Sequence, residues 1–221
     1  MVDAALQRKN MVESQVRPSD VTDRRILRAM LDIPRETFVP EDLRSLAYMD
    51  TDVRLLAAAP GKAARAMLAP RVFARLLNLA ALEEGDVVLD VGTGSGYSAA
   101  VLARIVRTVV ALESDPGLAA TAGKLLGAVP NVSVVTGGLA AGWPGSGPYD
   151  AIILEGAVSE VPQALRDQLR DGGRLVAVVG DNSQPRATLW QRLGSNFDQR
   201  AAFDAGAPRL PGFGRKPAFS L

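Results

Sequence analysis

Neither cysteine nor histidine occurs in the 221 residues. Without cysteine there are no disulfides, no thiolate nucleophiles and no cysteine metal sites. Without histidine the commonest general base and the commonest metal ligand at neutral pH are gone. Charge of one sign is also missing. Lys and Arg total 25 against 24 Asp and Glu, a net charge of +1, so nothing marks a nucleic-acid partner or an anionic membrane surface. No uninterrupted apolar run approaches the roughly 20 residues that span a bilayer. The opening MVDAALQRKNMVESQV has no signal-peptide apolar core. The expectation is a soluble, cytoplasmic protein with no metal. What is present is apolar residue, 48% of the chain, enough for the core of one domain with an appendage. The oligomeric state is not legible.

From Val87 onward, strand-like and helix-like segments alternate. VVLDV (87–91), TVVALE (108–113), VSVVTG (132–137), YDAIILE (149–155) and RLVAVVG (174–180) are apolar runs that read as strands. Between them GYSAAVLARIVR (96–107), DPGLAATAGKLLGAV (115–129) and VPQALRDQL (161–169) read as helices, the second with Asp115 as N-cap and Pro116 at its first position, the last stopped by DGG. Apolar strands separated by helices imply a parallel sheet covered on both faces, and right-handed crossovers make it doubly wound. RATLWQRL and QRAAFDA flank GSNFD and predict an antiparallel edge pair. The Pro/Gly-rich tail GAPRLPGFGRKPAFSL reads as irregular. Before residue 70 the pattern is helical: Thr22 is placed to cap DRRILRAMLDI, and PRVFARLLNLAAL (70–82) is an amphipathic helix. RLLAAAPGKAARAMLAP is alanine-rich and weakly patterned. The expected fold is α/β, a Rossmann-like, doubly wound, mostly parallel sheet with an antiparallel edge hairpin, divided as a helical extension (1–69) and a sheet domain (70–221).

In DVGTGSGYSAAVLA, Gly92, Gly94 and Gly96 alternate immediately after a strand. Either a nucleotide cofactor approaches this backbone closely, or the turn is tight and holds no ligand. In a doubly wound sheet, ligands bind beyond the carboxyl ends of the strands where strand order reverses, and this turn stands there. A dinucleotide site wants G-x-G-x-x-G, whose third glycine falls on Tyr97, which argues against NAD. The G-x-G-x-G spacing, with Asp90 two positions ahead, suits S-adenosylmethionine, whose sulfonium and amino-acid end need close backbone approach and a nearby acid. Glu113 closes the next strand, where a carboxylate accepts both ribose hydroxyls of an adenosine. That device serves NAD equally, so Glu113 argues for a ribose.

VVLDVGTGSGYSAAVLARI resembles the S-adenosylmethionine motif of the protein-L-isoaspartate O-methyltransferases. VVALESDPGLAATA, NVSVV, GWPGSGPYDAIIL and VPQALRDQLRDGGRLVAVVG follow in the family's order. MVESQVRPSDVTDRRILRAMLDIPRETFVP resembles its opening helix and its VPR…FVP hinge. The likeness spans roughly residues 10 to 180. It implies an S-adenosylmethionine-dependent enzyme that esterifies isoaspartyl or D-aspartyl carboxylates in damaged proteins. Carried over, Gly92, Thr93, Gly94, Ser95 and Gly96 line the methionine end, Asp90 supports that loop, and Glu113 holds the ribose.

The departures fall where substrate binds. The family's Thr-Ile-Ser reads Ala66, Met67, Leu68 here, ahead of Ala69 and Pro70. Both hydroxyls are gone, one of them the serine that helps hold the substrate carboxylate. The family's Gly-Asp-Gly, whose acid reaches toward adenine, reads Gly137, Gly138, Leu139. Glu155 ends the fourth strand, where the family has a small neutral stretch. Methyl transfer from a sulfonium to a carboxylate needs no base and rests on positioning. Leu68 offers no donor, and an ionised Glu155 repels a carboxylate unless it faces solvent or an arginine. Ala66→Thr with Leu68→Ser is therefore expected to raise transfer. Two other readings keep the cofactor: a different methyl acceptor, with Glu155 as base or cation anchor, and a binding protein without turnover. Trp143 packs its loop or borders the adenine. Arg24 and Arg25 belong to a solvated helix face, and Asp181, Asn182 and Ser183 suit a turn or the crevice.

Overall fold

A computed structural model describes residues 3–180 and 184–213. Asp181, Asn182, Ser183 and the end of the tail lie outside the described residues. Helix α1 (Ala4–Met11) starts at Asp3, whose carboxylate accepts from the Ala5 N–H, and runs on through a wider turn, Val12–Val16. Helix α2 (Arg24–Asp32) buries Ile26, Leu27, Ala29 and Met30 on one face and leaves Arg24 and Arg25 exposed. Its N-cap is Asp23 and not Thr22: the Asp23 carboxylate accepts from the Arg25 N–H at 2.8 Å and also holds the Arg25 side chain. Acceptance from N2 satisfies one of the donors that a helix start leaves free.

The alanine-rich run before Pro70, weakly patterned in sequence, interrupts the helical extension. It forms an antiparallel hairpin, β1 (Val53–Leu56) and β2 (Arg65–Met67), irregular between Arg54 and Leu56. No apolar 3.6-residue stripe exists there for a helix to bury. Instead Val53, Arg65 and Met67 turn inward, and residues 57–64 at the tip are all exposed. Helix α3 (Pro70–Ala80) follows, with proline at its first position and Phe73, Ala74, Leu76, Leu77 and Ala80 buried.

The remaining elements alternate as the sequence indicates. They are β3 (Val87–Val91), α4 (Tyr97–Leu102), β4 (Thr108–Glu113), α5 (Pro116–Leu126), β5 (Val132–Thr136), β6 (Tyr149–Val158), α6 (Gln163–Arg166), β7 (Leu169–Val179), β8 (Arg186–Leu193) and β9 (Asn196–Asp204). Asp115 caps α5 through the Gly117 and Leu118 N–H groups. Helices α4 and α6 are shorter than their apolar patterns suggest. The DGG expected to stop a helix lies inside β7, which begins at Leu169. Sheet order is β5-β4-β3-β6-β7-β8-β9, parallel from β5 to β7 and antiparallel at β8 and β9. Both faces are covered. One apolar cluster joins α2, α3 and α4 to the sheet through Leu77, Val101 and Ile153, and the other gathers Leu89, Ile152 and Leu175. Strand order reverses at β3, between β4 and β6, so the crevice expected of this architecture opens at the ends of these strands. No helix among the described residues is long and apolar enough to cross a membrane. Among the same residues no group of three His, Cys, Asp or Glu side chains is placed to hold a metal.

Candidate active site

The turn after β3 is held against β4 by the Gly92 and Thr93 N–H groups, which donate to Leu112 O at 2.8 and 3.2 Å. Gly92, Gly94 and Gly96 have φ of 85, 61 and 100°, which an L side chain adopts only at a cost. Space is also taken. A Cβ on Gly92 would stand 2.8 Å from Leu210 Cδ2 and 3.0 Å from Arg65 Nη2; one on Gly94, 2.6 Å from Leu55 Cδ1; one on Gly96, 2.7 Å from Leu126 Cδ1. Side chains of this same chain lie against all three glycines.

Glu113 ends β4 as the alternation of elements predicts, but its carboxylate is not open to the crevice. It is fully buried. Oε2 accepts from Arg65 Nη2 at 2.7 Å and from the Gly94 N–H at 2.8 Å. Oε1 accepts from the N–H groups of Ser114 and Asp115 and from the Ser114 hydroxyl. Arg65, 3% exposed, also donates from Nη2 to Gly92 O at 2.9 Å. Leu210 reaches Gly92 because the segment after β9 returns along β6, where the Ala157 N–H donates to Pro208 O and Ala157 O accepts from the Leu210 N–H. Leu139 is buried against the same turn, whereas Gly138 is exposed. Trp143 packs on Gly137. Ser95 donates its hydroxyl to Phe38 O, tying the glycine turn to the N-terminal segment.

Behind the turn, Asp90 is buried and accepts from the Ser98 hydroxyl at 2.6 Å; Ser98 Oγ and Thr93 Oγ1 are 3.3 Å apart. Burial, reinforced by the Glu113 charge, pushes the Asp90 carboxyl up to about 6 against the hydrogen bonds that lower it. A cavity of about 10 Å³ adjoins this point, lined by Arg35, Leu68, Gly92, Tyr97, Ser98 and Glu155 among others. It has room for about one water. Leu68 is buried there, and its carbonyl accepts from Arg35 Nη2 at 2.5 Å. Arg35 is buried too, donates from Nε to Ala47 O and lies 4.8 Å over the Tyr97 ring. Glu155 is buried and makes no ion pair among the described residues. It is 7% exposed, Oε1 has no hydrogen-bond partner, and burial with Asp90 nearby pushes its carboxyl well above the usual range. That upward shift works against the repelling charge expected from sequence.

These shifts fix a sign for pH dependence. Asp90 and Glu155 hold protons in the folded chain that the unfolded chain has released, so stability falls as pH rises from about 4 through 6 and beyond. The charged groups facing them are each other, Glu113, Arg35 and Arg65. Glu155→Gln cancels one of the two contributions. Urea unfolding at pH 4.5 and 7.5 should show the variant losing less stability than the native protein over that interval. Parallel losses in both proteins would place Glu155 in contact with water.

Comparison with known proteins assigns the family. The family model of protein-L-isoaspartate(D-aspartate) O-methyltransferase matches residues 6–202. The chain belongs to that family. The isoaspartate O-methyltransferase of Herpetosiphon aurantiacus is 40% identical over 196 residues, 87% of this chain and 84% of that protein. The enzyme of a Synechococcus strain is 42% identical over 180 residues, 80% of this chain and 71% of that one. Among solved structures, a protein-L-isoaspartate O-methyltransferase superposes with a TM-score of 0.81 at 26% identity, covering 93% of this chain and 66% of that chain. A Plasmodium falciparum β-aspartate methyltransferase, solved with S-adenosyl-L-homocysteine, shares the fold with a TM-score of 0.74 at 21% identity, covering 92% and 97%. Within an isoaspartate methyltransferase scaffold, the carboxylate expected to hold the donor's ribose is bonded to Arg65. The Glu113 oxygens are taken by Arg65 and by main-chain N–H groups, and a cavity of about 310 Å³ lined by Lys62, Arg65, Ser114, Asp115 and Pro211 opens beside them. Arg65, Arg35, Leu55 and Leu210 are the residues that sequence reading missed. Arg65 stands in an alanine run with no periodicity to mark its direction, and Leu210 lies in a tail without pattern.

Proposed function

We propose that the chain is a methyltransferase that takes S-adenosylmethionine as donor and an isoaspartyl carboxylate as acceptor, with Arg65 bonded to the donor-side carboxylate Glu113. The observation that carries this reading is the family match over residues 6–202, with the glycine turn and Glu113 in register at the carboxyl ends of β3 and β4. Asp90, Gly92, Thr93, Gly94, Ser95, Gly96 and Glu113 form the donor side once Arg65 has moved; Gly138 and Leu139 border it. The acceptor side is supported by Arg35. The cavity wall has lost its hydroxyls at Ala66 and Leu68, yet Arg35 Nη1 and Tyr97 Oη are buried there without hydrogen-bond partners, and two such donors suit a carboxylate.

A second reading, a family member that does not transfer methyl, is favoured by the Arg65–Glu113 pair. Transfer of tritiated methyl from S-adenosylmethionine to a synthetic isoaspartyl peptide, with the aspartyl peptide as control, separates them. The first reading expects slow accumulation of a base-labile ester on the isoaspartyl peptide alone. Binding of S-adenosylhomocysteine with no ester after prolonged incubation would favour the second, and a base-stable product would mean another acceptor.

A further inference from the structure

We propose that Arg65 is an internal occupant of the nucleoside's place in the crevice, so that the β1–β2 hairpin and the donor compete for Glu113 and this arginine sets donor affinity. The proposal rests on the donor reading above. Its first support is chemical. A ribose diol would bind Glu113 by donating hydrogen bonds to the carboxylate, and Arg65 Nη2 already donates there at 2.7 Å and to Gly92 O at 2.9 Å. A charge-assisted bond from guanidinium is stronger than one from a neutral hydroxyl, so the diol must displace a better donor. The second support is steric: Leu55 lies against Gly94 and Leu210 against Gly92, where close backbone approach by a ligand is otherwise possible.

The third support is that the shut arrangement leaves polar atoms unpaired. Of the seven buried side-chain polar atoms without a partner among the described residues, five are here: Arg35 Nη1, Arg65 Nε, Asp90 Oδ1, Tyr97 Oη and Glu155 Oε1. Arg35, Tyr97 and Glu155 line the small cavity, Asp90 is bonded to its wall through Ser98, and Arg65 through Gly92. A core closed for stability alone pairs such atoms. The hairpin is also built to move. Its strands have four and three residues, its tip from 57 to 64 is exposed, and its ladder is irregular at Arg54. A two-stranded ribbon of that size contributes little stability of its own.

The test is calorimetric titration of S-adenosylhomocysteine into the native protein, Arg65→Ala and Leu55→Ala, with hydrogen exchange of the native protein beside it. Arg65→Ala should bind at least about tenfold more tightly than the native chain, since it removes one hydrogen bond to a charged group from the closed state. Leu55→Ala should gain by a smaller factor. It leaves the Arg65–Glu113 pair intact and keeps the test open if Arg65→Ala does not fold. In the native protein the ligand should speed amide exchange in β1 and β2 while slowing it at Gly94. Equal affinities in all three proteins, with the hairpin undisturbed, would overturn the proposal and leave the donor reading standing. No binding by any of the three would overturn both.

Discussion

Glu113→Ala lowers the unfolding free energy by about 3–5 kcal/mol, the cost of leaving one partner of a buried ion pair alone. Arg65 is 3% exposed and has no second carboxylate to turn to among its bonded partners. The N–H groups of Gly94, Ser114 and Asp115 lose their acceptor in the same step. Against a typical total of about 5–15 kcal/mol, this is a large fraction. Arg65→Leu combined with Glu113→Leu removes both charges and recovers the ionic part, but not the three N–H groups. The double variant should therefore sit between Glu113→Ala and the native chain in urea unfolding followed by circular dichroism. A loss below about 1 kcal/mol for Glu113→Ala would mean that water reaches Arg65 in solution. Because Glu113 carries this much of the fold, a binding defect in its variants says nothing about a ribose unless the variant is first shown to be folded.

Leu68→Ser should destabilise the chain by about 2–5 kcal/mol and should not by itself restore methyl transfer. Leu68 is 1% exposed and belongs to the main apolar cluster, so removal of its branched end opens a cavity in a packed site. From sequence alone a serine here, together with Ala66→Thr, looked like the recovery of a lost donor and a gain in transfer. The structure changes that expectation on two counts. Arg35 and Tyr97 already bring unpartnered donors to the same wall, and the closed donor site lies upstream of any acceptor contact. Thermal unfolding and the isoaspartyl transfer assay on the same preparation check both halves. A stable Leu68→Ser protein with transfer raised at least about tenfold would show that the missing hydroxyl, and not Arg65, limits the chain.

The parallel sheet was readable because its strands are apolar throughout and its helices are flanked by glycine, proline or an aspartate cap. Asp115 and the β8–β9 pair show that local chemistry at work. The hairpin was not readable: an alanine-rich run has neither a helical stripe nor β-branched residues, and its strands form because Val53, Arg65 and Met67 find a tertiary surface to face. Sequence located the glycine turn and Glu113 by their spacing from β3. It did not show what fills them, since Arg65 is 48 residues from its partner and Leu210 arrives from the far end of the chain. Glu155 was marked as anomalous by position, but its protonation depends on burial and on Asp90, which only packing decides.

A crystal structure of the protein grown without any nucleoside tests the central claim directly. The account predicts Arg65 Nη2 within hydrogen-bond distance of Glu113 Oε2, at the 2.7 Å found here, with Leu55 on Gly94 and Leu210 on Gly92. An Arg65 side chain turned to solvent, with Glu113 open to a crevice of ligand size, would contradict it.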